Sequence, residues 1–279
     1  MKKLPENTIR EIIREHDWED YSFSEKKALV SALFSEIAYY HIPKYECDKS
    51  GRSKFISCFA HESLIEHGHS FSIKNIVRSA EFELIFTIET EMAIIVAIKV
   101  DGVIFIATRG TKTLNDLWVD IKALPRNVRI LGNDYCFHRG FYTLGDSLLR
   151  EIIHKRTELD DYIFNGNPIY FVGHSLGGAL SAIMRTISEA HNLFHSTHSY
   201  TFAMPKYCTN TVLKDFRSPH SVINPKDIVP RLPPFYSHCE PSLIIEPVKD
   251  VIPLPIISRF QQHSMEHYLQ SIERIVNVV

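Results

Sequence analysis

The stretch "IYFVGHSLGGALSAIM", Ile169 to Met184, decides the fold. Ile169, Tyr170, Phe171 and Val172 have the bulky apolar and aromatic character of a buried strand. Gly-His-Ser-Leu-Gly-Gly follows, and then Ala and Leu at helix-like spacing. A serine thus stands between glycines where a buried strand gives way to a helix. Gly173-His174-Ser175-Leu176-Gly177 fits G-x-S-x-G, a pattern in which the serine occupies a sharp, strained strand-to-helix turn. Side chains two positions either side of it would strike the neighbouring helix and strand, which favours Gly173 and Gly177. The turn lifts the serine Oγ above the sheet edge. It also aims the Leu176 N–H at the same space, where the helix N-terminus adds partial positive charge.

A serine hydroxyl is a poor nucleophile until a histidine takes its proton and a carboxylate holds that histidine in the right tautomer. With an elbow of this kind the order along the chain is Ser, then Asp or Glu, then His. In "SVINPKDIVPRLPP" (221–234), Asp227 lies just past a short β-run and an Asn224-Pro225 turn, where an orienting carboxylate should sit. Asp215 falls in a charged stretch, and Asp250 precedes another apolar run. Three histidines follow: His238, His263 and His267. "QQHSMEHYLQSIERI" puts His263 at the start of the last helix and His267 one turn later, on one face, so spacing leaves the base open between them. For the oxyanion, "FIATRGTKTLNDLW" (105–118) ends a strand in Arg109-Gly110-Thr111, and Thr111 becomes the second donor beside Leu176. Leu114, Leu117, Trp118, Ile121 and Leu124 then recur at helical spacing, with Pro125 as the stop. That helix reads either as a lid over the serine or as a packed amphipathic helix.

Around this centre the chain alternates strands and helices. "FELIFTIE" (82–89), "AIIVAIKV" (93–100) and "VIFIATRG" (103–110) are strands, the last two joined by an Asp101-Gly102 hairpin. Further strands are expected at 169–172, 198–204 and 220–224, and helices at 143–156, 176–191 and 261–277. Residues 24–40 form a helix with Ser24 as N-cap and Leu29, Ala32, Leu33 and Ile37 on one face. Residues 1–24 read as a charged helical extension, 41–80 as irregular to helical, and 25–279 as one domain. The pattern is α/β, with a largely parallel sheet and helices on its faces.

The chain has 279 residues and a net charge of −2, which gives no basic surface for nucleic acid. Its five cysteines are scattered and include no C-x-x-C, so neither a disulfide framework nor a zinc site is expected. His191, His195 and His198 lack ligand-spaced carboxylates, and no metal or other cofactor is expected. The N-terminal stretch has two lysines but no apolar core, and no apolar run is long enough to span a membrane. The expected location is cytoplasmic, or outside the cell by a route that needs no Sec signal peptide.

Taken together, four stretches resemble the class 3 lipase family: "ATRGTKTLNDLWVDI" (107–121), "FHRGFY" (137–142), "VGHSLGGALSAI" (172–183) and "INPKDIVPRLPP" (223–234). "TFAMPKY" (201–207) and "HSMEHY" (263–268) are weaker matches in the right order. The resemblance spans about residues 25 to 275. It implies an α/β-hydrolase fold with a helical lid and a lipid or ester substrate met at a transient lipid interface. It also implies Ser175 as nucleophile, Asp227 as orienting acid, His263 as base with Tyr268 as the aromatic after it, Thr111 and Leu176 as oxyanion donors, and 113–124 as lid. His238 matches a non-catalytic position. Thr108 stands where the family usually has Phe, and Trp118 is shifted by one from the family's lid tryptophan, whose place Leu117 takes. Phospholipase or monoacylglycerol lipase activity, a secreted effector acting on foreign membranes, and a non-catalytic binding protein on the same fold are the alternatives.

Overall fold

The computed structural model describes residues 8–39, 83–110, 124–159, 164, 166–247 and 262–277. A seven-stranded sheet forms its centre. The strands are β1 (Glu83–Glu89), β2 (Ile94–Val100), β3 (Val103–Arg109), β6 (Ile169–His174), β7 (Thr197–Phe202), β8 (His220–Ile223) and β9 (Leu243–Ile244), in that spatial order. β1, β2 and β3 pair antiparallel, and β3, β6, β7, β8 and β9 pair parallel. The turn from β2 to β3 is the expected hairpin. Asp101 and Gly102 both take positive φ, 44° and 84°, as a two-residue turn between twisted strands requires. A second hairpin, β4 (Pro125–Ile130) with β5 (Asn133–His138), stands apart from this sheet.

Alternation along the strands sorts the core into two layers. On one face Phe105, Ala107, Tyr170, Val172, Tyr200, Phe202 and Val222 meet three helices: α1 (Thr8–Glu15), α2 (Glu25–Ile37) and α6 (Met265–Asn277). On the other, Ile104, Ile106, Ile169 and Phe171 meet α3 (Arg139–Glu158) and α4 (Leu176–Ala190). The short α5 (Asn210–Asp215) precedes β8. β3 and β6, at the middle of the sheet, are buried along their whole length, so they open as apolar runs, 103–107 and 169–172.

Several expectations change in detail. The N-terminal segment expected as an extension buries Ile9, Ile12, Ile13 and Trp18 in the same cluster as the sheet. The second helix begins as expected, with Ser24 accepting from the Lys27 N–H, but it is buried from Lys27 to Ile37 rather than on one face. α3 starts at Arg139, four residues earlier than its apolar spacing indicates, because the His138 side chain caps it by accepting from the Phe141 N–H. Pro125, expected to stop a helix, is the first residue of β4. The last helix begins at Met265, so His263 sits in the turn before it and does not share a helix face with His267. Residues 40–82, Asp250 and the expected lid residues Leu114, Leu117, Trp118 and Ile121 lie outside the described residues, as does Thr111.

Candidate active site

β6 delivers Ser175 at its C-terminal end, and α4 starts at the next residue. Ser175 has φ 56° and ψ −129°, a conformation that L-residues rarely adopt. The strain is held by packing too tight for side chains. A Cβ on Gly177 would lie 2.0 Å from the Thr108 carbonyl oxygen, and one on Gly173 would lie 2.5 Å from the Gly177 carbonyl. The elbow is pinned by hydrogen bonds as well. Ser175 N–H donates to the Phe202 carbonyl at 2.9 Å, and the Ser175 carbonyl accepts from Gly178 N–H at 2.9 Å.

The Ser175 hydroxyl lies 2.8 Å from His263 Nε2. His263 Nδ1 lies 2.7 Å from Asp227 Oδ2. A carboxylate accepts, so the proton sits on Nδ1 and the Nε2 lone pair faces the serine. All three residues are buried: 8% exposure for Ser175, 3% for His263 and 1% for Asp227. The chain therefore works at low local dielectric, where oriented hydrogen bonds count most.

Asp227 owes its place to the turn after β8. Its N–H donates to the Asn224 carbonyl at 3.0 Å, and its Oδ1 accepts from the Val229 N–H at 2.9 Å. Its Oδ2 accepts a second bond, from the Tyr268 hydroxyl, at 2.9 Å. That hydroxyl in turn accepts from the Asn224 N–H at 2.9 Å. Three donors on one buried carboxylate are what make a charge tolerable there. Asn224 Nδ2 also donates to Gln262 Oε1 at 2.8 Å, which anchors the turn carrying His263. Sequence reading gave Tyr268 only as an aromatic of the motif and saw Asn224 only as a turn residue. A buried tyrosine one helical turn and a half past a histidine carries no signal of where its hydroxyl points.

Leu176 is the first residue of α4, so its N–H has no intrahelical acceptor and opens beside Ser175 at the positive end of the helix. Gly110 brings the end of β3 against this residue: a Cβ there would lie 2.6 Å from Leu176 Cβ. The other candidates fall away from the serine. His238 bonds two carbonyls, Cys239 at 2.7 Å and Met204 at 3.0 Å. Asp215 accepts from the Tyr135 hydroxyl at 2.9 Å. Among the described residues, no group of three His, Cys, Asp or Glu side chains is placed to hold a metal ion, and no helix is long and apolar enough to cross a membrane.

The sequence profile "Lipase (class 3)" matches residues 105–237. No curated protein sequence matches the chain. Similar solved structures include the LIP2 lipase of Yarrowia lipolytica, 18% identical, with a TM-score of 0.60 over 81% of this chain and 80% of that one. The mono- and diacylglycerol lipase of Aspergillus oryzae is 16% identical, with a TM-score of 0.59 over 83% and 82%. The triacylglyceride lipase of Rhizomucor miehei is 18% identical, with a TM-score of 0.54 over 82% of each chain. At these identities the likeness is one of fold, the α/β-hydrolase fold.

Proposed function

We propose that this chain, whose residues 105–237 match the class 3 lipase profile, hydrolyses lipid esters through an acyl-enzyme on Ser175. One observation carries the assignment: an unbroken hydrogen-bonded chain from Ser175 Oγ through His263 to Asp227, with links of 2.8 and 2.7 Å. His263 Nε2 takes the hydroxyl proton as Oγ attacks the acyl carbonyl. The carbonyl electron pair moves onto oxygen, where the Leu176 N–H, with Thr111 assigned as second donor, stabilises it. Collapse of the tetrahedral species breaks the bond to the alcohol oxygen, which leaves with the proton from His263. Water then repeats the cycle on the acyl-serine, releasing the fatty acid and restoring the hydroxyl. Asp227 holds Nδ1–H throughout and balances the transient imidazolium.

The test is direct. A fluorophosphonate probe should label the wild type at Ser175 and leave Ser175→Ala unlabelled. The same variant should lose about six orders of magnitude in kcat for ester hydrolysis, leaving only the residual catalysis of the oxyanion site and binding. Mass spectrometry of products from triacylglycerol, monoacylglycerol and phospholipid identifies the preferred lipid. Wild-type turnover in Ser175→Ala rejects the mechanism.

A further inference from the structure

His174 fills the variable position of the elbow, where its side chain is not required by the turn itself. It is nevertheless buried, and both ring nitrogens are engaged at short distance. Nδ1 lies 2.7 Å from the Tyr39 hydroxyl, and Nε2 lies 2.7 Å from the main-chain carbonyl of His263. The ring packs among three others: His263 at 4.7 Å between centroids, Tyr39 at 5.7 Å and Tyr268 at 5.9 Å.

The hydrogen-bond logic fixes the tautomer. A carbonyl oxygen only accepts, so Nε2 carries the proton and donates to His263. Nδ1 is then a lone pair, and the Tyr39 hydroxyl must donate to it. Tyr39 is itself held where α2 ends. Its N–H donates to the Glu36 carbonyl at 2.9 Å, and its carbonyl accepts from Arg109 at 3.2 Å. The turn carrying His263 is thus gripped twice. Asn224 holds Gln262 from the side of β8, and His174 holds the His263 carbonyl from the side of β6.

We propose that His174 is a positioning residue for the base: its imidazole clamps the main chain at His263, and Tyr39 sets the nitrogen that does so. The proposal rests on His263 being the base. Its consequence is that α2, which precedes the family-matched residues, completes the active site. Position matters here because the His263 ring must meet both Ser175 and Asp227, and a displacement of about 1 Å costs on the order of 100-fold in rate. Charge matters too. Burial, with the adjacent His263 as a second cause, pushes the His174 pKa well below its ordinary value of 6.5, so the ring stays neutral while His263 gains a proton. A second cation at that distance would oppose each step in which His263 takes up a proton.

The experiment measures kcat and KM on a soluble short-chain ester for His174→Phe, His174→Gln and Tyr39→Phe, beside Ser175→Ala and His263→Ala, with circular dichroism for folding. Phenylalanine keeps the ring and removes both bonds. Glutamine restores a donor for the carbonyl and an acceptor for Tyr39. His174→Phe should lower kcat by about 100-fold with little change in KM, and His174→Gln should recover most of that loss. Tyr39→Phe should lower kcat by several-fold, about what one lost hydrogen bond of 1 kcal/mol supports. A folded His174→Phe with wild-type kcat overturns the proposal, as does an equal loss in the Phe and Gln variants. Where His174→Phe does not fold, Tyr39→Phe decides: lowered kcat at unchanged KM supports the clamp, and unchanged kcat removes it. Retained activity in His263→Ala would instead overturn the base assignment on which the clamp depends.

Discussion

Ser175 takes a backbone conformation that the sequence permits only because its neighbours give way. Gly177 is the most demanding of them. Its α-carbon faces the Thr108 carbonyl so closely that a methyl group would sit 2.0 Å from that oxygen. Both atoms belong to central elements, β3 and the first turn of α4, and neither can swing aside like a flexible side chain. Gly177→Ala must therefore push the helix N-terminus away from the strand. That shift moves the Leu176 N–H and the serine together. The expected result is a fall in kcat of about 100-fold or more, and a loss of roughly 1–3 kcal/mol in urea unfolding. Near-normal kinetics in a folded Gly177→Ala protein would show that the elbow has more room than its geometry allows. The serine, its glycines and Asp227 were legible in the sequence because each fills a position with one narrow physical requirement. Spacing did not separate His263 from His267, and only the family resemblance favoured His263. Both histidines lie within one turn of chain, and only the point where α6 starts, at Met265, separates a ring that faces Ser175 from one carried along the helix.

At the scale of elements, legibility followed burial. β3 and β6 are central strands and open as apolar runs. The β4–β5 hairpin went unseen because its strands carry Arg126, Asn127 and Arg129 with little burial, and its turn is Leu131-Gly132 rather than a residue pair with a strong turn preference. α2 was seen but misjudged. Its apolar residues were read as one face, yet Lys27, Ser31, Ser35 and Glu36 on the rest of its surface are buried too. Local bonds make this possible: Ser35 Oγ donates to the Ser31 carbonyl at 2.9 Å, and Lys27 Nζ donates to the Asp20 carbonyl at 2.7 Å. The helix is clasped between the sheet, α1 and α6, and so acts as a core element. Phe34, fully buried, stacks on Phe105 at 4.3 Å and 19°. Phe34→Ala should cost about 3–5 kcal/mol in urea unfolding, the range for emptying an aromatic site that cannot collapse. A cost under about 1 kcal/mol, the scale of an ordinary surface substitution, would mean that α2 is loosely seated.

Across the whole molecule, burial of histidine sets how the fold responds to acid. Burial pushes His198 down to about 3 and His138 down to about 4, from an ordinary value of 6.5. His174 and His220 are lowered for the same first reason. Above pH 6.5 these rings are neutral in folded and unfolded chains alike, and they add no pH dependence. Below it the unfolded chain binds protons that the folded chain refuses, so stability falls as pH falls, until each folded pKa is reached. Each such ring costs on the order of 1 kcal/mol per pH unit over its window, so His198 and His138 together cost about 2–3 kcal/mol per unit near pH 5. Against a total of about 5–15 kcal/mol, such a slope makes the fold sensitive to mild acid. His198 isolates the effect. Its ring stacks on Tyr170 at 4.6 Å and 6°, its Nε2 meets Ser196 Oγ at 2.9 Å, and its Nδ1 is buried without a partner. Phenylalanine can keep the stack and removes an unsatisfied nitrogen. His198→Phe should therefore be close to neutral at pH 7 and more stable than wild type at pH 5, by on the order of 1 kcal/mol for each unit below 6.5. Urea titrations of both proteins at pH 7, 6 and 5 measure the difference. Parallel losses in the two proteins over that interval would show that His198 is not among the groups that make the fold acid-sensitive.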